Sequence, residues 1–484
     1  MTARCVMVLG TSSGAGKSWL ATALCRWYAR RGLRVAPFKA QNMSNNARVV
    51  AAPDGGLGEI GSAQYFQALA AGAVPEVRMN PVLLKPERDD HSQLVLLGQV
   101  HPQLTALPWR ERGPLLWPVV RDALDALRAE NDVVVIEGAG SPAEINLQDS
   151  DIANLRVAAH AQAACLVVTD IDRGGAFAHL YGTWALLPEA HRALLRGFVL
   201  NRFRGDPALL APGPEQLEAL TGVPTVATLP MVWQHGLPEE DGVFDDRSVA
   251  AGPVRLRVAV VAWPRISNLD EFQPLRNIPG VRLRWARTPA DLADADWVIL
   301  PGSKNTGADL QWLRAQGLAR AVVDHAQAGR AVLGICGGLQ VLGEALVDPF
   351  DIAGNAPGLG LLPLVTQFAA SKTVRRSTVS FAPQAGAWAA LSGLRIEGYE
   401  IHTGQTAQHA GMAAAHTALP EGLGWTNAQG NVLGIYVHGL FEDAGVLQAL
   451  FGAAAPTLET VFDRLADTVD AHCAAGVLPS LIAC

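Results

Sequence analysis

The stretch VMVLGTSSGAGKSWLATAL, residues 6–24, carries an apolar run into a glycine-rich turn and on into a helical pattern. Five residues separate Gly10 from Gly16, one more than in the ordinary phosphate loop, so this is an elongated form of that turn. Its chemistry is anion binding. Turn glycines let backbone N–H groups converge on phosphate, and the following helix presents its positive end. Gly10, Thr11, Gly14 and Gly16 are the candidate cradle, Lys17 reaches the terminal phosphates, and Ser18 offers its hydroxyl to magnesium. A glycine-rich turn without a ligand has no need of a Lys-Ser pair at the helix start.

A second reactive pattern lies in AVLGICGGLQVLGE, residues 331–344. Here Cys336 sits in G-x-C-x-G between an apolar strand and a helix, the arrangement of a nucleophile elbow built around sulfur. Gly334 and Gly338 permit a strained turn, and the backbone N–H of Gly337 is placed to hold an oxyanion. Cys5, Cys25 and Cys165 lack such surroundings and read as small buried hydrophobes. A thiolate needs a proton shuttle, which approaches in space rather than in sequence. Among twelve histidines, His438 in GIYVHGLFE follows a short apolar strand and precedes glycine, which leaves its ring at a strand end facing a cleft. LPGS, residues 300–303, ends another strand, and the backbone at Gly302 is the candidate second oxyanion donor.

The elements that must position these groups follow from the apolar pattern. After the helix expected over Ser18–Arg31, runs at LRVAPFK, DVVVIEG (132–138), CLVVTD (165–170), GFVLN (197–201) and VPTVATLP (223–230) alternate with helix-length segments. Such alternation predicts a parallel sheet covered on both faces. Near residue 235 a polar, acidic, Gly/Pro-containing stretch reads as a linker, and RLRVAVVAW, VRLRWAR, DWVILPGS and AVLGIC then open a second α/β series. The expected organisation is two doubly wound α/β domains, a phosphate-loop parallel sheet over 1–235 and a parallel or mixed sheet over 253–445. A linker over 236–252 joins them and a helical tail over 446–484 follows. With 484 residues, 49% of them hydrophobic and 17% charged, the chain has ample apolar surface for both cores. A net charge of −7 argues against a nucleic-acid partner. Six cysteines without a C-x-x-C pair suggest neither a zinc site nor a disulfide framework, and no apolar run reaches the ~18 residues that span a bilayer. A cytoplasmic protein with no membrane partner is expected, and the oligomeric state stays open.

Taken together, these residues resemble class I glutamine amidotransferase domains in the second half and the dethiobiotin synthetase group of phosphate-loop ligases in the first. FKAQNMSNN (38–46), MNPVLLKP (79–86), EGAGSPAEINL (137–147), DIDRGGAFA (170–178), NRFRGD (201–206), LPGSKNT (300–306) and YEIHTG (399–404) narrow the resemblance to the cobyric acid synthase family. The resemblance implies ATP- and glutamine-dependent amidation of the b, d, e and g carboxylates of adenosylcobyrinic acid a,c-diamide, with ATP and Mg2+ as cofactors. It also implies that Ser18 and Glu137 hold magnesium, with Asp54 a further candidate, and that Lys39 neutralises charge between the phosphoryl group and the substrate. Glu137 and Lys39 both end apolar runs, where ligands of open α/β sheets bind. Asn201 either reads the adenine edge or forms a turn. Asp170, Asp172 and Arg173 either line the corrinoid or phosphate side of the cleft or form structural ion pairs.

Many class I domains carry a glutamate two residues after the catalytic histidine, whereas Leu440 stands there in this chain. Either another acid orients His438, with Glu442 nearest, or Cys336 and His438 act as a dyad. Two other readings share parts of the pattern. Cobyrinic acid a,c-diamide synthase has both chemistries on the earlier a and c carboxylates. A partitioning-type switch ATPase carries an extra lysine where Ser12 stands here and has no use for Cys336.

Overall fold

The computed structural model describes residues 2–88, 91–233, 235–238, 253–408, 411, 415–452 and 456–483. Most of the expected linker, residues 239–252, and the sixth cysteine, Cys484, lie outside them.

The first unit is built on a six-stranded sheet in the order Thr225–Pro230, Leu195–Phe203, Ala164–Asp170, Arg4–Gly10, Val133–Glu137, Val35–Phe38. Every neighbouring pair is parallel. Successive side chains of a strand point to opposite faces, and here both faces are dry. Met7 and Leu9 join Leu116, Val120, Leu124 and Leu127 of the helix Trp109–Glu130. Val6 and Val8 join Leu20, Leu24 and Trp27 of the helix Lys17–Ala29. The strands therefore read as continuous apolar runs instead of alternating ones. Register pairs Val8 with Glu137 and Gly10 with Val168, so the phosphate loop and Glu137 emerge side by side at the carboxyl edge of the sheet.

The second unit has a seven-stranded mixed sheet, ordered Val281–Ala286, Leu256–Val261, Trp297–Leu300, Ala331–Ile335, Val432–Ile435, Gly424–Thr426, His416–Leu419. The first five strands run parallel, and the last two are joined on by antiparallel pairings. Cys336 follows the fourth strand and Tyr436–His438 the fifth, so neighbouring strands deliver sulfur and imidazole to one edge. A long antiparallel ribbon, Val365–Ser380 with Arg395–Ala407, stands beside this sheet.

Between the two sheets the first unit extends a hairpin, Ala47–Ala51 with Leu57–Gly61, and a further sheet containing Val82–Arg88 and His91–Leu96. Near the carboxyl end, Val446 and Leu447 of the helix Ala444–Phe451 pack into the second core. The helix Leu458–His472 instead returns to the first unit and lies on the phosphate-loop helix, with Val461, Phe462, Leu465, Ala466 and Val469 in that core. Arg26 pairs with Asp463 at 2.8 Å, and Trp27 Nε1 donates to Asp470 at 2.6 Å.

Candidate active site

Two sites stand on these edges. In the first, Gly14 and Gly16 adopt φ of 70° and 103°, the left-handed backbone that lets the loop curl. Lys17 folds back over the turn and its Nζ donates to the carbonyls of Ser12 at 3.0 Å and Gly140 at 3.1 Å. Thr11 Oγ1 donates to Thr169 Oγ1 at 2.9 Å. Ser18 Oγ and Lys39 Nζ each lie 2.8 Å from the same oxygen of Glu137, Oε1, while Gln67 Nε2 donates to Oε2 at 2.6 Å. Burial alone would raise the Glu137 carboxyl, but the Lys39 ammonium beside it and these hydrogen bonds hold it below the usual carboxylate range. The expected group Lys17, Ser18, Lys39 and Glu137 is thus brought together.

The structure places the remaining candidates as follows. Asn201 is turned to the loop itself, its amide donating to the Ala15 carbonyl at 3.0 Å, so it buttresses the cradle. Asp54 is exposed in the turn of the 47–61 hairpin, where its carboxylate accepts the Gly56 N–H at 3.0 Å. That turn is the end of the hairpin away from Gly61, which leads into the helix carrying Gln67, so Asp54 does not join Ser18 and Glu137. Asp170 accepts from Arg202 at 2.9 Å and lies 3.3 Å from Arg173, and Asp172 pairs with Arg204. The two aspartates are therefore engaged in ion pairs. Arg173 remains largely exposed, and a Cβ added at Gly14 would lie 3.7 Å from its Nη2, beside the loop.

The second site is built around a strained residue. Cys336 has φ 52° and ψ −105°, a backbone that only a packed elbow holds in place. Strand and helix meet so closely that a Cβ on Gly338 would lie 1.9 Å from the Leu300 carbonyl. Cys336 Sγ lies 3.8 Å from the Ile401 carbonyl, in the YEIHTG segment. His438 is buried, its ring stacked on Tyr399 at 5.4 Å between centroids. Its Nδ1 lies 3.2 Å from Glu271 Oε1, which leaves the opposite ring edge for the sulfur, and the other Glu271 oxygen accepts the Gly439 N–H at 3.2 Å. Burial alone would depress the imidazole, but the Glu271 carboxylate and the Cys336 sulfur outweigh it and push His438 up to about 10. A Cβ on Gly302 would come 3.0 Å from His438 Cε1, and one on Gly337 2.8 Å from Ser303 N, so the two expected oxyanion segments converge on the Cys-His pair.

The acid hydrogen-bonded to His438 is Glu271, not Glu442. Glu442 pairs instead with Arg48 at 2.6 Å. Glu271 lies in the turn Leu269–Phe272, and 167 positions separate it from His438. Nothing in its local sequence, SNLDEFQPL, ties it to a histidine so far along the chain. The buried thiols of Cys5 and Cys165 are raised by burial to about 11 and about 12, as inert core residues are.

A Cys-His-acid array on one α/β sheet and a phosphate loop on another define a glutamine amidotransferase-type ligase with its own nucleotide-binding domain. Residues 6–240 match the CobQ/CobB/MinD/ParA nucleotide binding domain, and residues 257–446 match the CobB/CobQ-like glutamine amidotransferase domain. A cobyric acid synthase of Variovorax paradoxus (strain S110) is 73% identical over 484 residues, covering 100% of both chains. Those of Polaromonas naphthalenivorans (strain CJ2) and Paracidovorax citrulli (strain AAC00-1) are 69% and 71% identical, covering 100% and 97% of each chain. The chain belongs to the cobyric acid synthase family. Among the described residues no helix is long and apolar enough to cross a membrane.

Proposed function

We propose that the chain uses ATP and glutamine to amidate the b, d, e and g carboxylates of adenosylcobyrinic acid a,c-diamide. The observation that carries this reading is the presence in one chain of two complementary machines, Cys336–His438–Glu271 and Lys17–Ser18–Lys39–Glu137. A carboxylate is a poor electrophile, so one machine activates it while the other releases the nitrogen that displaces the activating group.

At the first site Ser18 and Glu137 offer two oxygens 2.8 Å apart. Among the described residues no cluster of three or more His, Cys, Asp or Glu is arranged to hold a metal. One hydroxyl and one carboxylate suit Mg2+, which keeps several ligands from water and phosphate. When bound, it supplies charge neutralisation on the phosphates. Lys17 withdraws from the Ser12 and Gly140 carbonyls to the β/γ-phosphates, and Lys39 faces the transferred phosphoryl. The substrate carboxylate attacks that phosphorus with loss of ADP. Ammonia then attacks the acyl carbon, and phosphate leaves. Positioning and charge supply most of the acceleration in such transfers.

At the second site the Cys336 sulfur attacks the glutamine amide carbon. His438, held by Glu271 through Nδ1, hands a proton to the departing ammonia from its other nitrogen and then takes one from the water that hydrolyses the thioester. The N–H groups at Gly337 and Gly302 receive the oxyanion of both tetrahedral intermediates.

Purified protein with the diamide, ATP, magnesium and glutamine, followed by mass spectrometry, tests the whole reading. Four successive amidations with glutamate and ADP released in step are expected. Use of cobyrinic acid alone, or ATP hydrolysis indifferent to corrinoid, would overturn it.

A further inference from the structure

The turn that carries Glu271 is held from outside its own domain. Leu269 donates its N–H to Asn46 Oδ1 at 2.9 Å, and Asn268 Nδ2 donates to the Ala47 carbonyl at 3.1 Å and to Tyr399 Oη at 2.6 Å. Arg48 Nε donates to Asp270 Oδ2 at 3.0 Å, and Nη2 makes a second, closer contact with the same oxygen. Through Nη1 the same guanidinium reaches Glu442 at 2.6 Å. Three consecutive residues of the first domain, 46–48, therefore grip both segments of the orienting pair: the stretch just before Glu271 and the stretch just after His438.

Burial distinguishes this contact from an ordinary domain contact. The Arg48 side chain is 2% exposed and that of Asp270 0%. Taking both charges out of water carries a desolvation cost that an exposed pair avoids, so joining the domains does not by itself account for it. What a dry ion pair with two N–H groups on one carboxylate oxygen supplies is a fixed geometry. The other side of residues 46–48 leads to the nucleotide site. Ser62 donates its N–H to the Asn46 carbonyl at 3.0 Å and opens the helix Ser62–Ala70, whose Gln67 holds Glu137. Asn42 Nδ2 donates to Gln64 Oε1 at 3.2 Å on the same helix. The hydrogen-bonded route from Glu137 to Glu271 is continuous.

We propose that Asn46 and Arg48 are positioning residues of the glutaminase, which aim Glu271 at His438 from the neighbouring domain and so make ammonia release depend on how the nucleotide-site helix is seated. The inference rests on Glu271 being the acid partner of His438. A displacement of about 1 Å at such a pair costs about a hundredfold in rate, and the 46–48 segment sets the acid's position at that scale.

The test uses the full chain and two readouts from one preparation: glutamate release from glutamine, and ATP-dependent amidation with an ammonium salt in place of glutamine. Asn46→Ala and Arg48→Met are each expected to lower the glutaminase kcat about a hundredfold. KM for glutamine and ammonium-supported amidation should stay close to the parent. His438 faces Glu271, Cys336 and Tyr399, so an acid turned away from it should also move the alkaline limb of the kcat–pH profile to lower pH, which a merely structural loosening would not. Parental glutamate release with an unmoved limb would overturn the inference. So would equal loss of both activities, because residues 46–48 would then hold the fold and not the aim. If Arg48→Met does not fold, Asn46→Ala decides by the same readouts, since it strands no buried charge. Glu271→Gln separates the two layers. Should it keep glutaminase activity, the acid assignment itself fails; should it alone lose activity, only the role of Asn46 and Arg48 fails.

Discussion

In the proposed function Cys336 and Lys17 divide the labour of the molecule, and their removal should be felt differently. Cys336→Ala is expected to abolish glutamine-supported amidation while sparing amidation by concentrated ammonium salt, because the acyl phosphate still forms. Lys17→Ala should lose activity with either nitrogen source, by about a hundredfold or more, since a charge aimed at developing phosphoryl charge supplies several kcal/mol. Side-by-side assays with the two nitrogen sources check both. His438 makes a prediction in pH. Its imidazole is held at about 10 against 6.5 for the free side chain, so the fold binds that proton more tightly than the unfolded chain does. The stability this adds is complete below about pH 6.5 and is lost as the pH rises through about 10. Urea unfolding across that window should show the parent losing stability relative to His438→Gln as the pH rises. Reading the residues was easy where chemistry is local. Lys17, Ser18 and Cys336 sit in unbroken strand–turn–helix segments. Glu271 was illegible because only the sheet order brings the 269–272 turn beside His438.

At the scale of elements, the elbow depends on a missing side chain. The Leu300 carbonyl occupies the place where a Cβ at position 338 would go, and the strand ending at Leu300 leads directly into Gly302. Gly338→Ala must therefore shift the strand that leads to the proposed second oxyanion donor. Glutaminase activity should fall about a hundredfold with ammonium-supported amidation preserved, a loss typical of a displaced oxyanion donor. The hairpin at 47–61 carries a legible turn signal. Pro53-Asp54-Gly55-Gly56 is turn chemistry between two apolar runs, which marks a hairpin tip and leaves Asp54 in solvent. The same reading separates the sheets well. Strands buried on both faces carry uninterrupted apolar runs that need no partner to be recognised, whereas the ribbon Val365–Ser380 with Arg395–Ala407 is half exposed and mixed in character, so its pairing comes from tertiary contact.

At the scale of the molecule, the helix Leu458–His472 completes a core that begins 440 residues earlier, around the phosphate-loop helix. Phe462 is fully buried there, and Phe462→Ala should cost about 3–5 kcal/mol, seen as an early thermal transition that ATP, binding the native first domain alone, pushes back upward. The path of the chain gives that packing a further meaning. It leaves the first domain, builds the glutaminase, and comes home, so the glutaminase is an inset held by two tethers and not a trailer on one. Two anchor points shrink the volume a domain can explore and raise the effective concentration of each face for the other. The first domain, in turn, cannot be harvested by cutting at the linker. A fragment of residues 1–238 would be missing part of its own interior, and a peptide of residues 456–483 added back should bind it and restore cooperative unfolding.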